Sequence, residues 1–180
     1  MREYLFHGKR VDNGEWVEGY LNYNSTRKQY YIMDDVNAFP IPVYEESVGQ
    51  YTGMKEFVMA DRSFNKPLFE GDIVEVWAMR SPIGSTNPKS QYDGWMKVRA
   101  TICFMSGEWT VDYENKYNES LTKLKGKEED NREISNHWSL YRFGSYNNNE
   151  EWDREHNARY KHGDIVKIGN VFENADLLEG

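Results

Sequence analysis

Polar and apolar residues alternate over Glu15–Tyr23. That places Val17, Leu21 and Tyr23 on one face of a strand and Trp16, Glu18 and Tyr20 on the other. The polar run Asn24-Ser25-Thr26-Arg27-Lys28 predicts a turn, and Gln29-Tyr30-Tyr31-Ile32-Met33 the returning strand, so residues 10–33 form a hairpin. Asp12-Asn13-Gly14 before it is a turn signal. Residues 37–42 read as loop because Pro40 and Pro42 lack a ladder donor. Ser47–Met54 is a short strand between glycines, and Asp61–Pro67 is a turn region. Strands are further expected over Ile73–Met79, Trp95–Met105, Glu108–Tyr113 and Trp138–Phe143, with Ser106-Gly107 joining two of them.

One six-residue pattern occurs twice, as Gly71-Asp72-Ile73-Val74-Glu75-Val76 and Gly163-Asp164-Ile165-Val166-Lys167-Ile168. In each copy a turn-forming pair runs into a β-branched strand. The flanks do not match, so the doubling sets no solenoid or propeller period. After the second copy a Gly169-Asn170 turn precedes a short final turn capped by Asn174. Residues 119–136 carry only a thin apolar stripe of Leu121, Leu124 and Ile134, which fits a helix or a loop. Polar insertions are expected near 81–94, 119–136 and 144–161.

The expected fold is therefore mainly β with minor α, in one domain spanning 1–180. It is a small twisted barrel or a curled antiparallel sheet with long hairpin loops and a short helical turn near its end. Aromatic content of 15%, with 13 Tyr and 6 Trp, agrees, because rings pack well on half-buried pleated surfaces. A chain of 180 residues buries roughly 70% of its unfolded surface, so it needs no disulfide or metal to fold. The single cysteine, Cys103, lies in an apolar strand and reads as a small buried hydrophobe.

Charge narrows the functional classes. With 30 acidic and 22 basic residues the net charge is −8, against the basic excess typical of nucleic-acid binding. No window approaches the roughly 20 apolar residues of a membrane span, and residues 1–7 hold no signal-peptide core, so the expected location is the cytoplasm.

The candidate chemistry is sparse. Asp153, His156, His162 and Asp164 form the densest titratable cluster, but their spacing matches no established zinc pattern. They are weak candidates for a metal site or a hydrolase, and no cofactor is implied. Asp72 and Asp164 each follow a glycine where Asp caps its own turn. Gly71, Asp72, Gly163 and Asp164 are thus a signature of turn and fold. Gly14, Gly19, Gly49 and Gly53 are spaced as turns, not as a phosphate cradle. No Ser or Cys nucleophile has an elbow or base pattern, so the reading is non-enzymatic. The aromatic residues Trp16, Tyr20, Tyr23, Tyr30, Tyr51, Trp109 and Tyr113 alternate with polar ones. A half-exposed set of this kind suits protein contacts or self-assembly, or stacking of a nucleotide.

Several segments carry a family resemblance: Phe6-His7-Gly8-Lys9-Arg10, Gly14–Leu21, Val48–Lys55, Lys66–Val74 and Ile168–Leu178. In that order, over about half the chain, the sequence resembles the YopX-like family of bacteriophage and prophage proteins. It departs from the pattern at Glu56–Ala60, at Asn65-Lys66 and at Ala175, where a proline is typical. The resemblance implies a mainly β, phage-borne protein and transfers no activity to particular residues. The functional expectation is an accessory protein that binds a host or phage protein or assembles with itself as a homo-oligomer. The alternative is a protein that sequesters a small ligand or nucleotide to oppose host defence.

Overall fold

In the computed structural model every strand pairing is antiparallel, and the chain reverses through short polar turns. The structure describes residues 4–34, 39–58, 63–79, 95–118, 137–140 and 165–179. Eleven strands are formed among them: β1 Phe6–Lys9, β2 Trp16–Asn24, β3 Gln29–Met33, β4 Ile41–Val43, β5 Gly49–Val58, β6 Ser63–Phe69, β7 Asp72–Met79, β8 Trp95–Met105, β9 Glu108–Asp112, β10 His137–Ser139 and β11 Ile165–Asn170. Short 3-10 turns lie at Glu45–Ser47 and Ala175–Leu178. The strand order is open, ending at β4 and β10, so of the two expected forms it is the antiparallel sheet and not the closed barrel.

Contacts divide the chain into two compact units, Met1–Lys55 with Pro67–Gly71, and Glu56–Lys66 with Asp72–Gly180. In the first unit the ladder runs β5-β1-β2-β3-β4. A single bridge, Arg10↔Val43, brings β4 back to the chain leaving β1, and the Val11 amide donates to the Pro42 carbonyl at 3.0 Å. This curl packs Ile32, Ile41 and Val43 into a core. Burial of each such side chain contributes about 1.5–3 kcal/mol. Close approach also explains Gly49, which lies within β5 and not in a turn. A Cβ there would stand 2.3 Å from the Glu70 carbonyl oxygen and 2.7 Å from His7 Nε2.

The second unit's ladder runs β10-β9-β8-β7-β11, with Phe57 of β5 opposite Ile165. One face carries Val74, Val76, Val98, Ala100, Ile102, Val111 and Ile165, all buried. Ser106 and Gly107 both have positive φ, 52° and 86°, as a two-residue hairpin between β8 and β9 requires.

Three expectations about elements change. The loop at residues 37–42 contains strand β4, because Pro42 needs only its carbonyl to bond its neighbour. The turn region at 61–67 contains β6, which pairs β5 and includes Pro67. The strand expected over Ser47–Met54 runs on to Val58, with Gly53 inside it at φ 83°. The region 119–136, the insertions at 81–94 and 144–161, and the second Gly-Asp pair lie outside the described residues.

Candidate interaction surface

The β2–β3 hairpin sets the geometry of an exposed apolar surface in the first unit. Asn24 Oδ1 accepts hydrogen bonds from the Thr26 and Arg27 amides at 3.1 and 3.0 Å, and Lys28 takes a left-handed φ of 51°. The turn closes on the pair Asn24↔Gln29. That register puts Tyr20 opposite Met33, Leu21 opposite Ile32, Asn22 opposite Tyr31 and Tyr23 opposite Tyr30.

Directly opposite residues share a face. Leu21 and Ile32 therefore point toward the core, where Ile32 is fully buried. On the other face Tyr20 is 55% exposed and its partner Met33 44%, with half-buried Tyr31 beside them. Glu18, exposed and two residues from Tyr20, continues the same face. Farther along that face the surface closes over. Trp16 packs on His7 with ring centroids 4.6 Å apart, and His7 stacks on Phe69 at 4.1 Å.

The sequence candidates thus separate. Tyr20 stands out into solvent. Tyr23 and Tyr30 pair in a tilted arrangement, 4.7 Å between centroids, on the opposite face at the hairpin end, where Tyr23 is also exposed. Trp16 is half-buried, and so is Tyr51, whose ring lies 5.5 Å from Phe69. Trp109 and Tyr113 are buried in the second unit and present no ring surface to a partner. Burial pushes the Tyr113 hydroxyl well above its usual pKa. Met33 and Tyr31 were not among the candidates, yet they complete the patch. At the β8–β9 hairpin Phe104 is exposed and meets Trp109 edge-on at 5.0 Å.

The polar candidates also resolve into structure. Asp72 is fully buried in the second unit. Its carboxylate reaches across the ladder to Lys167 Nζ at 2.8 Å, and accepts from Asn170 Nδ2 at 3.2 Å. The sequence gives Asp72 a role in its own turn, and these cross-strand bonds in addition fasten β7 to β11. Beside them buried Glu56 accepts from the Lys167 amide at 2.7 Å and the Lys66 amide at 3.3 Å. Gly71 supplies the positive φ of 81° that the preceding turn needs. Cys103 is half-buried, its Sγ 3.2 Å from Thr110 Oγ1 on the opposite strand. Arg10 and Asp12 form an exposed pair at 2.7 Å, whose hydrogen bond raises the guanidinium pKa and lowers that of the carboxyl.

Asp153, His156, His162, Gly163 and Asp164 lie outside the described residues. Among the described residues no three His, Cys, Asp or Glu side chains converge on a metal-sized site, and no helix is long and apolar enough to cross a membrane. No family model, curated protein or solved structure matches the chain.

Proposed function

We propose that this is a phage- or prophage-encoded accessory protein that acts in the bacterial cytoplasm by binding another protein, not by catalysis. The Tyr20–Met33 face is where it binds. The exposed cross-strand pair of Tyr20 and Met33, with Tyr31 alongside, carries the reading. Tyrosine offers large contact area with little rotamer entropy to lose, and methionine adapts to the partner's shape.

The patch also selects among occupants. Glu18 lies in line with Tyr20 on this face, and the chain as a whole carries a net charge of −8. A second copy docked face to face would oppose like charges, whereas a partner bearing Lys or Arg gains both the carboxylate and the tyrosine ring. The occupant is therefore a different protein with a basic, apolar-flanked surface.

The test is a Tyr20→Ser/Met33→Ser double variant, compared with wild type by affinity capture from host lysate and by light scattering. Truncating such an anchor removes about 2 kcal/mol, or roughly 30-fold in affinity, so the captured partner should be lost while the thermal midpoint holds. Retention of the same partner by a folded double variant refutes the site. A wild-type oligomer that dissociates in the variant refutes the heterologous partner and favours self-assembly.

A further inference from the structure

After β11 the chain turns sharply. Asn170 Oδ1 accepts from the Phe172 amide at 2.9 Å, and Asn174 Oδ1 accepts from the Asn170 amide at 3.2 Å. The segment Val171–Glu179 then lies back across the ladder as a strap. A Cβ on Gly169 would stand 2.8 Å from Leu177 Cδ1, so Leu177 covers Gly169. Gly169 is opposite Ile73, which is fully buried, and Ile73, Glu75 and Arg99 share this face through the pairs of β7 with β8.

The strap rests on a prepared cradle. Arg99 Nη1 donates to the Leu177 carbonyl at 2.8 Å, while the guanidinium carbon lies 3.9 Å above the centre of the Tyr117 ring. The backbone of Arg99 is itself clamped. Its amide donates to Asn118 Oδ1 at 3.1 Å, and its carbonyl accepts from Asn118 and Asn115 side chains at 2.7 and 3.0 Å. Lys116 pairs with Glu179. The strap, by contrast, buries none of the residues in its 3-10 turn. An oriented receptor thus holds a 3-10 turn none of whose residues is fully buried, the profile of an element that opens locally.

We propose that the Arg99–Tyr117 cradle is a peptide-docking site, filled in cis by residues 171–179 as a displaceable strap. Its ligand class is a short segment of another chain that takes the same 3-10 turn and repeats the strap's chemistry. A leucine covers Gly169, its carbonyl faces Arg99, and an acidic side chain two residues later meets Lys116. The guanidinium Nε–H, buried and without an acceptor among the described residues, leaves a further donor for a carboxylate on such a segment.

The experiment uses the full chain and a fluorescently labelled peptide with the sequence of residues 171–179. In wild type the tethered strap competes at an effective concentration of about a millimolar, so added peptide binds poorly. Leu177→Asp frees the cradle and should bind the peptide at least about tenfold more tightly, and adding Arg99→Ala should abolish that gain. A folded Leu177→Asp chain that ignores the peptide overturns the proposal, as does equal binding with Arg99→Ala present. Hydrogen exchange on unaltered protein gives a second reading that needs no variant to fold. The Leu177 and Glu179 amides should exchange through local opening, far faster than the amides of β7 and β8. Exchange at the same rate as those strands would mean the strap never lifts, and would equally overturn it.

Discussion

Breaking the Asp72–Lys167 pair should be asymmetric, and the asymmetry can be worked from the two environments. Asp72 is 0% exposed, whereas the Lys167 side chain is 25% exposed. Replacing Lys167 by Met leaves a carboxylate that cannot reach water, the situation for which loss of a buried partner costs about 3–5 kcal/mol. Replacing Asp72 by Ala leaves an ammonium that can turn outward. The loss is then nearer the roughly 1.5–3 kcal/mol of a charged hydrogen bond. The double variant should cost less than the sum, with a coupling of about 0.5–3 kcal/mol. Urea unfolding followed by tryptophan fluorescence measures all four states, with slopes unchanged if the native fold is kept. Because Asp72 is shielded, the coupling should change little with salt. A Lys167→Met cost no larger than that of Asp72→Ala, or a coupling indistinguishable from zero, would refute the view that this pair fastens β7 to β11.

Other outcomes follow from single sites. Gly49→Ala forces a Cβ to 2.3 Å from the Glu70 carbonyl oxygen, so it should cost at least the roughly 1–3 kcal/mol of overpacking. Gly53→Ala meets open space at φ +83° and should cost only about 1–2 kcal/mol. Thermal melts of the two variants rank them. The Tyr113 hydroxyl is held protonated by burial, its folded pKa lying above its unfolded one. Its contribution is therefore complete below the unfolded value near 10 and is lost as pH rises beyond it, by about 1.4 kcal/mol per pH unit. Melts from pH 8 to 11 should show this slope in wild type and a shallower one in Tyr113→Phe.

Much of this fold was legible in the sequence because alternation and turn chemistry are local. The β2–β3 hairpin, the β8–β9 hairpin over Ser106-Gly107 and the strand after Gly71-Asp72 all follow from such signals. What was not legible depends on distant partners. Gly49 reads as a turn residue until the Glu70 carbonyl is known to press on it. Asn174 was expected to cap the final turn, and it does occupy the N-cap position. Its side chain instead accepts from the Asn170 amide, folding the turn onto β11.

The interaction surface shows the same divide. Alternation alone marks Tyr20, but Met33 needs the register. Treating all five residues of Asn24–Lys28 as the turn would set Tyr20 opposite Ile32. The four-residue loop closed by Asn24↔Gln29 sets it opposite Met33. One residue of slip exchanges a core neighbour for an exposed one. Trp109 and Tyr113 alternate as convincingly as Tyr20, yet their rings are enclosed in the second unit, which periodicity alone does not reveal.

The central claim, that the Tyr20–Met33 face binds a protein partner, is tested most directly by photocrosslinking. A photoreactive amino acid is placed singly at positions 20, 33 and 104, and the chain is irradiated in host lysate. Positions 20 and 33 should yield one shared adduct with a different protein, and position 104, exposed but in the other unit, should not yield it. Adducts that appear equally from all three positions, or from position 104 alone, would contradict the claim.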